Sequence, residues 1–379
     1  MKLAYLTTDN RDDRKEYGRP EPFFGAGAGR VLEALRGLPD LEIHVVSCTR
    51  RPVAAPAKLA DNVWFHSLHV PRIGWMRTAY AGCIVATRRL VRRIRPDVVH
   101  GQGTERDCSI AAVLSGFPAV VTVRGNMRAI ARFYSARPFS YLWTAARLES
   151  FALPRAAGVI CITSYTRRQV EDAARQTWLI PNAVNPAFFE VPSRPAAAPR
   201  LLCVGTICAH KNQVRLIKAL DAWAKGRDGQ LVFAGDGNDS DEYVRTFRAL
   251  VAARPWCVCR GSLDEVGIRE ELSRSTLLVH PTLEDNCPNA VLEAMAAGVP
   301  VAAGAVGGVP DLVQDGVTGV LFDSRSEDAI ARAVAGLLEA PGRCGEMGRM
   351  ARQAALERFH PRRIAEQHRV VYREVIGAA

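Results

Sequence analysis

The chain has 379 residues, 48% hydrophobic and 23% charged, which is ordinary for a soluble globular protein and enough for two domains with separate cores. Its formal net charge of +11 sits in the first half: residues 1–190 hold 27 Lys and Arg against 16 Asp and Glu, while residues 191–379 hold 23 of each. No run approaches the ~18 uninterrupted apolar residues of a membrane-spanning helix, and the opening MKLAYLTTDNRDDRKE has too short an apolar part for a signal peptide.

A reducing cytoplasm is therefore the expected location. The ten cysteines fit it, because most of them, such as Cys48, Cys161 and Cys203, lie inside apolar runs. Cys257 and Cys259 form one CxC with no second half, so they read as core or loop rather than as a metal site. A basic first half suits nucleic acid, an anionic membrane or a phosphorylated substrate, and composition does not choose among them.

In chain order, short apolar runs fall at Lys2–Thr7, Glu42–Cys48, Val63–Leu68, Asp97–His100, Ala119–Val123 and Val159–Thr163. Several are nearly continuous in hydrophobicity, as strands covered on both faces must be. Helical patterns lie between them, including Gly29–Leu38 and Tyr80–Ile94. This alternation predicts a parallel sheet. At 185–200 the rhythm breaks into NPAFFEVPSRPAAAPR, whose four prolines exclude a regular helix and mark a linker. The rhythm restarts with LLCVG (201–205), LVFAG (231–235), TLLVH (276–280) and VPVAA (299–303), and Ile364–Ile376 closes the chain in a helical pattern. The expected domains are 1–185, a linker at 186–200, a second domain at 201–360, and a last segment at 361–379.

Three segments carry chemistry. FGAGAGR (24–30) opens a helical pattern about sixteen residues after the first strand, so its glycines suit either phosphate contact or a packing turn. In VGTICAHKN (204–212) a strand ends at Gly205 and Lys211 stands where the next helix begins, with three hydrogen-bond donors to offer a diphosphate. Asp239, Ser240 and Asp241 resemble a metal-binding DxD, but capping of the helix that follows explains them. In HPTLEDNCPNAVLEAMAAGVP (280–300), Pro288 is expected in the first turn of a helix that carries Glu293 among small and apolar residues. The paired oxygens of that carboxylate suit two ribose hydroxyls. Asp285 lies in the preceding turn, beside Asn286 and Cys287, whose amides could receive phosphate oxygens. An acidic cap plus a glutamate at the edge of the core is the other reading.

VLEAMAAGVPVAA, GGVPDLVQDGVTGVLF (307–322), IPNAVN (180–185), the VG…KN…LIKAL stretch (204–220) and FAGDG (233–237) together resemble the signature of retaining glycosyltransferases of family 4. The resemblance implies an α/β fold of the GT-B type, with two Rossmann-like domains facing across a deep interdomain cleft and a C-terminal helix crossing back to the N-terminal domain. It implies a nucleoside diphosphate sugar, UDP- or GDP-linked, as donor, and no required cofactor or metal. Glu293 would bind ribose, Asp285 or Glu284 the sugar and Lys211 the diphosphate. Gly25 and Gly27 would close over phosphate and sugar, and Arg260–Ser262 would line the base. Asp285 replaces the family's usual glutamate, Thr206 an arginine, and Arg124 of VTVRGNM a histidine. Arg124 can neutralise a phosphate but cannot serve as a base.

The reaction implied is retaining transfer to an acceptor hydroxyl, with Lys211, Asp285 and Arg124 as the catalytic candidates. Glu105 and Asp107 are the nearest carboxylates to consider in the first domain. His100 reads either as a donor or acceptor contact or as a core residue. Arginines 88, 89, 92, 93 and 95, and a second group at 124, 128, 132 and 137 flanked by aromatics, suit a lipid-linked or phosphorylated acceptor at the inner face of the cytoplasmic membrane. Glycosylation of a small soluble metabolite, a sugar-nucleotide epimerase of the same fold, and a basic nucleic-acid-binding protein are the alternatives. The balanced charge of the second half argues against nucleic acid.

Overall fold

The fold is given by a computed structural model, and the structure describes residues 1–194 and 196–378. Pro195 of the expected linker and Ala379 of the expected last segment lie outside the described residues. The chain divides into two units: Met1–Ala183 together with the segment beginning at Pro361, and Val184–His360.

The first unit is built on eight strands: β1 (Lys2–Leu6), β2 (Glu42–Thr49), β3 (Lys58–Ala60), β4 (Val63–His69), β5 (Val98–Gln102), β6 (Ala119–Val123), β7 (Gly158–Cys161) and β8 (Thr177–Leu179). Their order is β3-β4-β2-β1-β5-β6-β7-β8, and every pairing is parallel except β3 with β4. All residues of β5, β6 and β7 are buried, which explains their continuous apolar runs. The expected strands match these closely, but β3 and β8 went unseen. Both are three-residue strands at the sheet edges and partly exposed, so neither shows a sustained apolar signal. The run at Val159–Thr163 also ends early, because Thr163 caps the helix Ser164–Val170.

The second unit holds β9 (Arg200–Val204), β10 (Gln230–Ala234), β11 (Cys257–Cys259), β12 (Leu277–His280), β13 (Val301–Gly304) and β14 (Gly319–Phe322), all parallel, in the order β11-β10-β9-β12-β13-β14. The CxC at 257–259 is thus an edge strand. Within the stretch 186–200, Phe188 is fully buried and the Arg194 amide donates to the Ser273 carbonyl at 2.7 Å, both inside this unit. Each sheet reverses its order once, between β1 and β5 and between β9 and β12. In open α/β sheets ligands bind outside the carboxyl ends of the strands at such a reversal.

The last helix, Pro361–Gly377, belongs to the first unit. Ile364, Val371, Tyr372 and Val375 enter the same buried cluster as Leu3, Tyr5 and Leu35, each burial stabilising by about 1.5–3 kcal/mol. One ring nitrogen of His100 meets the Tyr372 hydroxyl at 2.7 Å and the other meets the Thr122 hydroxyl at 2.7 Å. His100 is therefore a core residue under the returning helix. Beside it, His368 donates to the Ile364 carbonyl at 2.8 Å.

Burial pushes His100 well down, and pushes His368 down to about 4, so both rings are neutral in the fold. An unfolded histidine titrates near ~6.5. As pH falls below that, the unfolded chain takes up protons that the folded chain refuses, and stability drops. We expect the first unit to lose about 2 kcal/mol on account of His368 between about pH 7 and pH 5, with the loss complete only near the folded value. Urea midpoints across that range, compared with His368→Leu, check this: an equally steep pH dependence in the variant would contradict it.

Candidate functional site

In the second unit, the loops leaving β9 and β12 emerge side by side at the sheet reversal. The first carries Lys211 in a 3₁₀ turn, Ala209–Lys211, and the second carries Asp285. Several backbone contacts lock them together. The Leu283 amide donates to the His210 carbonyl at 2.7 Å, and the Thr282 hydroxyl reaches the same carbonyl at 3.1 Å. Asn212, in the left-handed region at φ 62°, donates to the Pro281 carbonyl at 3.1 Å and to the Ser324 carbonyl at 2.7 Å.

The result is a side-chain group at the strand ends. Lys211 Nζ forms an ion pair with Asp285 Oδ2, and His280 Nε2 meets the same oxygen at 3.1 Å. Burial alone would raise the carboxyl pKa of Asp285. The hydrogen bond from His280 and the Lys211 charge overcome it and hold the group well below the usual carboxylate range. Burial also lowers His280, so its ring is neutral. Because an ionised Asp285 can only accept, the proton of that ring must lie on Nε2.

Glycines hold the surrounding loops at backbone contact. Gly307 has φ +56°, and a Cβ there would overlap the Asp285 carbonyl, while the Gly308 amide donates to that carbonyl at 3.0 Å. A Cβ on Gly235 would likewise overlap the Gly205 carbonyl, and the Gly235 amide donates to the Gly261 carbonyl at 2.8 Å. Only glycine allows these close approaches. The helix Asn289–Ala296 then buries Glu293, with Val291, Leu292, Ala294 and Met295 around it. Pro288 stands at the N-cap rather than in the first turn, and its carbonyl accepts from the Val291 amide at 3.1 Å. Cys287 is buried just before it, and Asn286 is partly exposed. Arg260 follows β11 and turns its guanidinium to Glu271 Oε1 at 3.3 Å. Asp241 caps the helix Glu242–Ala252 by accepting from the Tyr243 amide, as its position predicted.

In the first unit, Gly25 is the N-cap of the helix Ala26–Arg36. Arg124 lies against that first turn: a Cβ on Gly27 would overlap its guanidinium. Arg124 donates to Asn182 Oδ1 at 2.7 Å and to Gln102 Oε1 at 2.6 Å, so β5 and the IPNAVN segment aim it. The sixteen-residue insertion ahead of Gly25 is folded by a fully buried pair, Asp9 with Arg11. The Arg11 guanidinium also donates to the carbonyls of Arg19 (2.8 Å), Pro20 (3.2 Å) and Ala54 (3.0 Å). Asp9 bridges to Phe24 and thereby sets the start of the glycine loop.

Glu105 lies against Gly103 and Gly125 at the ends of β5 and β6, its carboxyl pushed up by burial. Asp107 begins the helix Asp107–Val113 and is buried beside Cys48. With Cys83 these two form the one group of three metal-capable side chains among the described residues. The sequence did not single out His280, Gln102 or the Asp9–Arg11 pair, and it offered Asn212 only within the KN motif. The only available signal was that each stands within a few residues of a strand end.

Residues 198–340 match the family model for group 1 glycosyl transferases, and residues 27–188 match the model for glycosyltransferase family 4. The chain is 34% identical over 197 residues to the alpha-maltose-1-phosphate synthase of Mycobacterium tuberculosis, covering 48% of this chain and 49% of that protein. It is 31% identical over 225 residues to the GDP-mannose-dependent alpha-(1-6)-phosphatidylinositol monomannoside mannosyltransferase of the same organism, covering 52% and 56%. The chain thus spans about half the length of these curated relatives. Among solved structures, Anabaena HepE in complex with UDP and glucose superposes with a TM-score of 0.75 at 16% identity, covering 98% of this chain and 99% of that one. With each half matched by a glycosyltransferase model and the fold matched over nearly its whole length, the chain has a GT-B fold and is related to the family 4 and group 1 glycosyltransferases.

Proposed function

We propose that the chain transfers a glycosyl group from a nucleoside diphosphate sugar to an acceptor hydroxyl, with retention at the anomeric carbon and without a divalent metal. The Lys211–Asp285–His280 group at the β9/β12 reversal carries this reading. One N–H of Lys211 holds Asp285, leaving two for the diphosphate. The ionised Asp285 accepts from hydroxyls of the donor sugar, and the amides beside Asn286 and Cys287 receive phosphate oxygens. Glu293 takes the ribose hydroxyls, and the loop at Arg260–Ser262 is assigned to the base.

As the bond between the anomeric carbon and the phosphate oxygen breaks, negative charge grows on the phosphate, and Lys211 stabilises it in place. The acceptor oxygen bonds to the anomeric carbon on the same face, and its proton passes to the departing phosphate. Gly25, Gly27 and Arg124 are assigned to phosphate or acceptor contacts on the first unit. The excess positive charge of the first half and the phosphatidylinositol substrate in the name of one relative support a lipid-linked acceptor. The name of the other supports a small phosphorylated product instead. Either way the protein works at the cytoplasmic side of a membrane or in the cytoplasm itself.

Calorimetric titration with UDP-, GDP-, ADP- and dTDP-sugars in the presence of a chelator tests the donor half of the reading. One donor is expected to bind, and Glu293→Ala to weaken it by about tenfold to a hundredfold, the worth of one or two hydrogen bonds to a charged group. Unchanged affinity in that variant would remove Glu293 from the ribose site. Product analysis without acceptor separates an epimerase, which would release altered sugar.

A further inference from the structure

The first unit carries a basic aromatic ridge that the donor chemistry does not use. The helix Tyr141–Ala152 and the turns at its two ends place Phe139, Trp143, Arg147, Phe151 and Arg155 four residues apart. That spacing keeps neighbours on one helix face. The contacts along it are physical: the Phe139 and Trp143 rings lie 5.2 Å apart, Arg147 stands over Trp143 at 5.2 Å, and Arg155 stands over Phe151 at 3.7 Å.

At the upper end of the ridge, Phe133 is 81% and Phe139 83% exposed. Phe139 holds φ +64°, a conformation an aromatic residue rarely adopts, so the turn displays its ring at a conformational cost. A second turn offers Ile73 at 78% exposure between Arg72 and Arg77. It flanks the same buried cluster, where Leu148 of the ridge helix meets Val70 and Trp75.

The charge along this segment is almost all of one sign. Residues 124–155 contain six arginines and a single acid, Glu149. Glu149 is fully buried and engaged by the Thr104 hydroxyl at 2.5 Å and by the amides of Met127 and Arg128, each at 3.0 Å. We propose that this ridge docks on an anionic lipid bilayer, with Phe133, Phe139 and Ile73 entering the interface and Arg147 and Arg155 meeting lipid phosphates.

Three features select the bilayer. The protruding tips are phenyl and aliphatic groups with no polar atom to satisfy, which an interface accepts and water does not. The Arg147 and Arg155 guanidinium groups stand over the Trp143 and Phe151 rings, so charge and apolar surface are held together as the acyl–phosphate boundary requires. Base stacking by a single-stranded nucleic acid needs open ring faces, and Trp143 and Phe151 each have one face taken by an arginine. The inference deepens the lipid-linked acceptor reading by naming the surface that meets the membrane. It stands apart from the donor assignment.

Vesicle flotation of the full chain tests it, using phosphatidylcholine alone and phosphatidylcholine with roughly one-third phosphatidylglycerol. The wild type is expected to bind the anionic vesicles at least about tenfold more tightly than the neutral ones. Phe133→Ser/Phe139→Ser and Arg147→Glu/Arg155→Glu should each lower binding by about tenfold or more, with donor affinity and urea midpoint unchanged. No binding to anionic vesicles, or variants that bind like the wild type, overturns the proposal. So does tighter retention on single-stranded RNA that is lost in the arginine variant and kept in the phenylalanine one. If vesicles bind as expected while Glu293→Ala leaves donor affinity unchanged, the membrane surface stands and the donor site is what fails.

Discussion

Lys211→Ala should lower kcat/KM for glycosyl transfer by about 10²–10³, the usual effect of removing one preorganised group that faces developing charge. Most of the loss should appear in kcat, because the phosphate gains charge only as the glycosidic bond breaks. Steady-state kinetics with the donor found by titration, together with direct donor binding, measure the split. Lys211 also stabilises the ionised Asp285, whose side chain is only 15% exposed. Its loss therefore leaves a carboxylate held by the neutral His280 ring, which adds a structural part to the effect. Lys211→Met combined with Asp285→Asn removes that stranded charge. The double variant should recover the wild-type urea midpoint while activity stays low. If it regains activity to within about threefold of the wild type, Lys211 does not act on the leaving group.

Asp9→Ala is expected to destabilise the first unit by about 3–5 kcal/mol, because it strands a buried guanidinium. Asp9 and Arg11 are both fully buried, and the guanidinium is also tied to three backbone carbonyls. Removing both charges with Asp9→Ala/Arg11→Met should cost less than removing Asp9 alone, since no uncompensated charge remains. Urea denaturation of the three proteins gives the comparison. A single-variant loss under about 1 kcal/mol would mean that water reaches Arg11 and that the pair does not hold the insertion. The same substitution should loosen the Gly25–Gly27 turn, because the Asp9 carboxylate also accepts from the Phe23 amide at 3.3 Å.

The candidate site was legible in part, and the pattern has a physical basis. Lys211, Asp285 and Glu293 were visible because charged residues at strand ends, or within a small-residue helix, break the apolar pattern around them. His280 was not, since a histidine closing an apolar strand reads as part of that strand. Asn212 was visible only as half of a motif, although its left-handed backbone and two side-chain bonds hold the Lys211 turn to the Asp285 loop. Gly27 was read as a possible phosphate contact, and the structure adds that its missing Cβ makes room for Arg124. The aromatic ridge was sensed as composition, but its four-residue contact pattern depends on where the helix starts.

Local chemistry in the sequence determined the alternation of strands and helices, the two α/β halves and the strand ends that bear charge. Apolar periodicity and turn residues act over a few positions, and they are written directly in the order of amino acids. Only the tertiary structure decided that β9 lies beside β12 and β1 beside β5, which brings loops more than seventy residues apart in sequence to one edge. Strand order depends on long-range pairing, and no local pattern encodes it. The same holds for His100, which waits under a helix that arrives 272 residues later to supply its Tyr372 partner. Whether a buried polar side chain belongs to the core or to the chemistry depends on which distant segment satisfies it.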